Sequence, residues 1–221
     1  MPNDVHSRND DRRKRTLGFI ASLKGKVRIL DIGCQSGTFC GALRELGHEP
    51  YGIEISSRQV KRAQNMYPDI PIIQANCEKT LPFPDSHFDV VWAGEVIEHI
   101  GHTDVFLNEI NRVLRPGGHF ILSTPMHNRI KGLLIVLFKF EKHFDPEFPH
   151  YRFYTKKSLC GVLKRRGFEI VEVGYIGRIP LLANVIFMVA KKVMTKPVLS
   201  EWRERSDNRE LPAAEPPAEI V

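Results

Sequence analysis

Short apolar runs alternate with amphipathic segments along the chain, and this alternation constrains the fold more than any other feature. Seven runs have the length and composition of strands: 27–31, 50–55, 70–75, 88–93, 119–123, 168–175 and 184–191. Helical spacing of apolar residues between them predicts helices, for example over 57–66, 103–114 and 155–166. Strands that alternate with helices predict an α/β domain with a parallel sheet covered on both faces. The last two runs are close enough in sequence to form an antiparallel pair.

Length and the composition of the two ends predict one domain with a tail on each side. A chain of 221 residues is long enough for one α/β domain with a complete core and short for two. Residues 1–16 are polar and charged, and residues 196–221 combine charges with four prolines, so both ends are predicted to be disordered. The folded domain is therefore expected over 17–195, with a lid-like insert at 127–154.

Charge and cysteine usage bear on partners and compartment. The formal net charge of +6 suits an acidic partner, but much of it lies in runs that are typical of solvated faces, and no nucleic-acid recognition motif accompanies it. The four cysteines have no metal-ligand spacing, which predicts free thiols and a cytoplasmic protein. Residues 1–15 lack the apolar stretch of a secretory signal. The apolar runs at 133–138 and 181–190 are too short to span a bilayer.

The turn after the first predicted strand indicates a nucleotide-like ligand. Its sequence runs Asp31-Ile32-Gly33-Cys34-Gln35-Ser36-Gly37, and a helix with Phe39, Leu43 and Leu46 on one face follows it. A dinucleotide site would need Gly-x-Gly-x-x-Gly, which Gln35 and Thr38 break. Glu54 ends the second strand, where a carboxylate can accept hydrogen bonds from both hydroxyls of a ribose. The alternative is that the glycines only shape a βα turn.

Several motifs together resemble those of the class I S-adenosylmethionine-dependent methyltransferases. In order and spacing they are Asp31-Ile32-Gly33-Cys34, Gly52-Ile53-Glu54, 76–85, Phe88-Asp89-Val90-Val91 and Arg112-Val113-Leu114-Arg115-Pro116-Gly117-Gly118. The resemblance covers about residues 15–195. It implies a Rossmann-like, doubly wound sheet of seven strands, mostly parallel, with an antiparallel last strand. It also implies S-adenosyl-L-methionine as the cofactor.

The same resemblance implies roles for single residues. The loop containing Asp31, Gly33, Cys34 and Gly37 would lie under the amino-acid part of the cofactor. Glu54 would hold the ribose, Ile55 would pack on the adenine, and Asn76 and Cys77 would meet the adenine edge. Gly94, after the fourth strand, completes the set of cofactor-binding candidates. The family commonly has Gly at position 35 and Asp at position 76, so this chain departs from it at Gln35 and Asn76.

A second group of polar residues follows the fourth strand in the string Gly94-Glu95-Val96-Ile97-Glu98-His99-Ile100. If residues 95–100 form a helical turn, Glu95, Glu98 and His99 share one face, and they are candidate ligands for Mg²⁺ or Mn²⁺. The string resembles the site of ubiquinone-biosynthesis O-methyltransferases and of methyltransferases that act on small-RNA 3′ ends. The latter add a second histidine, for which His150 is the counterpart here.

The same group offers two further interpretations. His99 is a candidate general base without any metal, and Glu98 and His150 complete the set of catalytic candidates. A Glu-His pair after this strand also occurs in family members without a known metal, where it caps a helix or contacts the cofactor.

The insert after the fifth strand is the expected acceptor-binding region. Its apolar side chains between residues 130 and 140 are edged by Lys131, Lys139 and Lys142. They predict a lid for an apolar acceptor or an interfacial membrane contact, the alternative being a face that packs on the domain. Arg152 is a candidate partner for a carboxylate or phosphate on the acceptor.

The sequence therefore predicts a methyltransferase that uses S-adenosylmethionine and methylates oxygen on a small or lipid-linked acceptor. Three alternatives remain: an RNA 3′-end ribose methyltransferase, a cofactor-binding protein without catalysis, and a membrane-surface adaptor. The acceptor itself, the methylated atom and the oligomeric state do not follow from the sequence.

Overall fold

A single sheet of seven strands forms the centre of the protein, in the order β3-β2-β1-β4-β5-β7-β6. The structure is a computed structural model, which describes residues 3–127, 129–138, 140–143, 152–177 and 185–193. The strands are β1 (Arg28–Ile32), β2 (Glu49–Glu54), β3 (Ile72–Gln74), β4 (Phe88–Gly94), β5 (Leu114–Pro125), β6 (Phe168–Ile176) and β7 (Val185–Lys192). The pairs among β1 to β5 are parallel, whereas β7 lies antiparallel to both β5 and β6. The fold class predicted from the sequence is confirmed.

Helices flank the sheet, most of them at the positions that the apolar spacing predicts. They are α1 (Asn3–Ser22), α2 (Thr38–Glu45), α3 (Ser57–Met66), α4 (Thr103–Val113), α5 (Arg129–Phe138), α6 (Phe140–His143) and α7 (Lys156–Arg165), with a short 3-10 helix at Ile97–His99. Ser56 caps α3, because its side chain accepts a hydrogen bond from the Gln59 amide. Thr155 and Ser158 form a capping box that starts α7. None of the helices in the described ranges is long and apolar enough to cross a membrane.

The sheet separates two layers of apolar packing. One layer contains Phe106 of α4 and Leu159 of α7, which pack over Phe120 and Phe168 of the sheet. The other contains Ile20 of α1 and the α2 side chains Phe39 and Leu43, which pack over Trp92 and Ile121. Strand order reverses between β1 and β4, so a crevice opens at the carboxyl ends of these two strands. This crevice is where the fold positions a ligand.

The predicted N-terminal tail is wrong where the structure describes it, since α1 runs through residues 3–22. Arg12, Thr16 and Ile20 are buried and recur every four residues, so one face of α1 rests on the domain. Leu17 and Leu23 add apolar contacts to the same side. The charged run at 12–15 obscures the periodicity of this buried face in the sequence. The predicted C-terminal tail at 196–221 lies outside the described residues.

Two smaller expectations also differ from the structure. The helix predicted over 103–114 ends at Val113, and β5 begins at Leu114, so Pro116-Gly117-Gly118 lies inside the strand rather than before it. The pairing of β5 with β4 shifts in this stretch, where Gly117 adopts a positive φ of 76°. Leu46 was expected on the buried face of α2, but it is the exposed C-cap residue of that helix.

Candidate cofactor site and active site

A cavity of about 290 Å³ lies in the crevice at the carboxyl ends of β1 and β4. Its lining residues are Arg12, Arg13, Asp31, Ile32, Gly33, Cys34, Gln35, Phe39, Trp92, Gly94 and Glu95. Four of the predicted cofactor-binding residues are therefore brought together here, namely Asp31, Gly33, Cys34 and Gly94. Polar groups of both charges surround one small space.

The glycine loop turns sharply between β1 and α2. Gly33, Gln35 and Gly37 have φ values of 74°, 50° and 74°, in the left-handed region that favours glycine. The family that this sequence resembles commonly has Gly at position 35. Gln35 adopts the same left-handed backbone conformation, which costs about 1 kcal/mol of conformational strain. A side chain at Gly37 would come within 2.9 Å of Ile72, so both space and conformation require glycine there.

Glu54 fixes this loop to the end of β2. One carboxylate oxygen accepts a hydrogen bond from the Gln35 amide at 3.1 Å, and the other accepts one from the Ser56 amide at 2.9 Å. A carboxylate oxygen has a second lone pair, so Glu54 can still accept from a ligand. Glu54 does not line the cavity itself but supports the loop that does.

Asp31 places a buried carboxyl group beneath the loop. Its side chain is nearly inaccessible, and the Cys40 thiol donates a hydrogen bond to Oδ2 at 3.6 Å. Burial raises the pKa of Asp31 to about 7, against the opposing effects of the Cys40 hydrogen bond and the Arg13 charge. The carboxyl group is therefore poised to ionise when a cation enters the cavity.

Two arginines of α1 form the opposite wall, and the sequence analysis missed both. Arg12 makes an ion pair with Glu95, with 2.9 Å between Nη1 and Oε1. Arg13 donates a hydrogen bond to Thr38 at 3.1 Å, and its guanidinium carbon lies 6.0 Å from the centre of the Phe39 ring. The signal that was available is the helical spacing of Thr16 and Ile20, which extends back to Arg12.

Three other predicted cofactor-binding residues lie at the edges of β2 and β3, outside the cavity lining. Ile55 is 64% exposed at the end of β2, an apolar surface that nothing in the described chain covers. The Asn76 side-chain oxygen accepts a hydrogen bond from the Glu78 amide at 2.8 Å, so its own turn already uses that oxygen. Burial raises the pKa of the Cys77 thiol to about 11.

The expected helical turn at 95–100 does not form, so Glu95, Glu98 and His99 do not share one helical face. Glu95 adopts a positive φ of 56° and turns toward Arg12, and the 3-10 helix begins only at Ile97. Glu98 points into the protein instead, where it is 1% exposed. Within the described ranges, no three His, Cys, Asp or Glu side chains converge closely enough to hold a metal ion. His150, the fourth predicted ligand, lies outside those ranges.

Glu98 is a strongly perturbed carboxyl group that does not line the cavity. Its Oε2 accepts a hydrogen bond from the Thr124 hydroxyl at 3.0 Å, while its Oε1 is buried without a hydrogen-bond donor among the described residues. Burial and the nearby Glu95 charge raise the pKa of Glu98 to about 7. His99 follows it and is partly exposed. A carboxyl group that titrates near neutrality suits proton transfer.

Comparisons with known proteins agree with this geometry. A family model described as a methyltransferase domain matches residues 3–173. Ubiquinone biosynthesis O-methyltransferase from Nitrobacter winogradskyi is 30% identical over 175 residues, which cover 76% of this chain and 65% of that protein. 2-Methyl-6-phytyl-1,4-hydroquinone methyltransferase from Synechocystis sp. is 36% identical over 111 residues, which cover 48% of this chain and 34% of that protein.

A solved structure supports the fold independently. An S-adenosylmethionine-dependent methyltransferase from Mesorhizobium loti superposes with a TM-score of 0.62 at 22% identity, over 76% of this chain and 92% of that one. The chain spans 34% to 65% of the length of the first curated relatives that it matches. With the family model covering most of the chain, the protein belongs to the S-adenosylmethionine-dependent methyltransferases.

Proposed function

We propose that the protein transfers the methyl group of S-adenosylmethionine to an oxygen atom of a small or lipid-linked acceptor. The observation that carries the proposal is the cavity between α1 and the glycine loop, where two guanidinium groups and two carboxyl groups face one space. The amino-acid part of S-adenosylmethionine bears one carboxylate and one ammonium group. A site for it therefore needs partners of both charges at close quarters.

The residues of the cavity fit this cofactor. Arg12 and Arg13 would bind its carboxylate, while Asp31 and Glu95 would face its ammonium group. The exposed side chain of Ile55 offers an apolar surface for the adenine. Gly33, Cys34, Gly37 and Gly94 are assigned to the backbone contacts, Glu54 to the ribose, and Asn76 and Cys77 to the adenine edge. When bound, the cofactor supplies an electrophilic methyl group.

On the acceptor side, Glu98 and His99 are assigned to proton transfer. A hydroxyl group that gains a methyl group must lose its proton, and a group with a pKa near 7 can accept it at neutral pH. The remaining rate enhancement would come from positioning, which methyl transfer mainly requires. His150 remains a candidate on sequence grounds alone, as does a divalent ion held with its help.

Calorimetric titration with S-adenosylhomocysteine, the demethylated cofactor, tests cofactor binding. The Arg12→Ala/Arg13→Ala variant should bind at least tenfold more weakly, because it loses both partners of the ligand carboxylate. Lys14→Ala is the matched control, since Lys14 is exposed on the same helix and does not line the cavity. Wild-type protein that shows no heat of binding would refute the proposal at its root.

Methylation of an alkyl-substituted catechol tests the acceptor class. The product should carry the methyl group on oxygen, which NMR distinguishes from methylation on carbon. Glu98→Gln and His99→Ala should lower kcat more than they raise KM. Loss of activity in EDTA would indicate a route that also uses a divalent ion, whereas unchanged activity would indicate proton transfer by side chains alone. Cofactor binding without turnover would favour the non-catalytic alternative.

An exposed helix supports a lipid-linked acceptor. In α5 the side chains of Leu133, Val136, Leu137 and Phe138 are mostly exposed, the last at 77%. An exposed apolar helix surface suits a membrane interface, and the sequence of this stretch contains Lys131, Lys139 and Lys142. Co-sedimentation with vesicles that contain phosphatidylglycerol should therefore retain the protein, and Leu137→Ser/Phe138→Ser should release it. Equal sedimentation of both proteins would restrict the proposal to a soluble acceptor.

A further inference from the structure

A second groove, of about 540 Å³, lies between the start of α4 and helix α7. Its lining residues are Thr103, Asp104, Arg152, Phe153, Tyr154, Ser158, Val162, Arg165 and Arg166. It shares no lining residue with the cofactor cavity. We propose that this groove binds a phosphate-bearing small molecule of about the size of a mononucleotide. Its volume falls within the usual range of sites for small ligands.

A positively charged stretch of the chain borders this groove. Residues 152–168 contain six Lys and Arg and no Asp or Glu, and three of the six, Arg152, Arg165 and Arg166, line the groove. Uncompensated charge of one sign costs stability through self-repulsion. Within a concave surface, such charge raises the local concentration of anions.

The three arginines of the groove differ from five other arginines of the protein, which are paired with carboxylates. Arg12, Arg28, Arg44, Arg112 and Arg115 each form a salt bridge with a carboxylate. Among the described residues, no carboxylate forms a salt bridge with Arg152, Arg165 or Arg166. Asp104 is the only acidic side chain in the groove lining, and it is exposed at the start of α4.

One of these guanidinium groups is already held in place. Arg152 donates hydrogen bonds to the carbonyl groups of Ile100 at 3.3 Å and Gly101 at 2.6 Å, just before α4. Arg166 donates a longer hydrogen bond to the Asn108 side chain at 3.4 Å. A fixed guanidinium loses little conformational entropy when it binds a ligand. The site is therefore partly preorganised.

The remaining lining groups suit a phosphate that is attached to a flat group. At the start of α4, the Glu78 carboxylate accepts a hydrogen bond from the His102 amide at 2.7 Å, so the first-turn amides at Thr103 and Asp104 add only a partly compensated positive charge. The Phe153 ring packs edge-on against His127 with 4.7 Å between ring centroids, and its 40% exposed side chain offers an aromatic surface. The guanidinium fork matches the oxygen atoms of phosphate. A concave site of this kind accommodates a discrete ligand better than a flat membrane.

Binding of inorganic pyrophosphate, measured by calorimetry at fixed ionic strength, tests the proposal. Saturating S-adenosylhomocysteine prevents pyrophosphate from binding to Arg12 and Arg13 in the cofactor cavity. If S-adenosylhomocysteine does not bind, all variants are instead made in the Arg12→Ala/Arg13→Ala background. The key variant is Arg165→Ala/Arg166→Ala. The matched control is Lys156→Ala/Lys157→Ala, which removes two charges from the same helix at exposed positions outside the groove lining. Failure of the cofactor proposal thus leaves this test intact.

We expect saturable binding by wild-type protein, a Kd at least tenfold higher for the arginine variant, and less than a threefold change for the lysine variant. Equal losses in both variants would indicate diffuse charge and overturn the proposal, as would no saturation below 10 mM pyrophosphate. Tighter binding of citrate would overturn the assignment to phosphate. If a single-stranded oligonucleotide binds more tightly than pyrophosphate and loses affinity equally in both variants, the ligand would be RNA and not a small molecule. Arg165→Gln is the milder variant if the double variant unfolds.

Discussion

Replacing Asp31 with Asn should make the stability of the protein less dependent on pH. In the folded protein, burial raises the pKa of this carboxyl group from 3.8 to about 7. Between these two pH values the folded state keeps a proton that the unfolded state has lost. The free energy of unfolding therefore falls as pH rises from about 4 to about 7, and it levels off above that. Asparagine cannot ionise, so the Asp31→Asn variant escapes this loss.

The magnitude follows from the shift of about 3 pKa units. Each unit corresponds to about 1.4 kcal/mol, so ionisation of Asp31 costs about 4 kcal/mol in total. The free energy difference between variant and wild type should thus increase in favour of the variant by about 2 kcal/mol from pH 5 to pH 7. For a domain of this size, that corresponds to a relative gain in Tm on the order of 5–10 °C.

Urea denaturation of both proteins without cofactor, at pH 5, 6, 7 and 8, measures this trend. Glu45→Gln is the control, since Glu45 is exposed on α2 and its amide should add no comparable trend. A flat difference between pH 5 and pH 8 would refute the reasoning, because it would mean that Asp31 is ionised throughout. The affinity of wild-type protein for S-adenosylhomocysteine should rise through pH 7, and Asp31→Asn should lose that rise.

Three further predictions concern the scaffold around the site. Arg112→Lys should lower the free energy of unfolding by about 2–3 kcal/mol in urea titrations, because the arginine pairs with Glu109 and also donates to two loop carbonyls. Lys192→Met should cost about 1–2 kcal/mol, since the ammonium group donates to two carbonyls at the end of α4, and an equal loss in the exposed neighbour variant Lys191→Met would contradict this. Gln35→Gly should raise stability by about 1 kcal/mol by relieving the positive φ, and an unchanged Tm would argue against strain.

The fold and the glycine loop of the cofactor site follow from local sequence patterns. A parallel strand buried on both faces reads as a continuous apolar run, as in β4, and its bounds differ from the prediction by one residue at most. The glycine loop is equally local, because Gly33 and Gly37 supply backbone conformations that few residues adopt. Four of the cofactor-binding candidates that were chosen from the sequence, Asp31, Gly33, Cys34 and Gly94, line one cavity in the structure.

The positions of Glu95 and Glu98 depend on contacts between residues that are distant in sequence, and no local pattern encodes these contacts. Glu95 and Glu98 have the spacing of a helical face, but the backbone at Glu95 is left-handed and the two side chains diverge. The Glu95 amide donates to the Ser123 carbonyl of β5, and Thr124 binds Glu98 from the same strand. The neighbouring strand thus sets the direction of both carboxylates.

The ion pair between Arg12 and Glu95 explains why the N-terminal helix was also missed. A run of four basic residues is usually a solvated face, but only Lys14 and Arg15 of this run are exposed. Arg12 is 8% exposed, and the Glu95 carboxylate 2.9 Å away compensates its buried charge. Its partner directly follows β4, far along the chain, so composition alone cannot identify it. The wall of the cofactor cavity is therefore a tertiary feature: α1 becomes part of the site only when the sheet presents Glu95 to it.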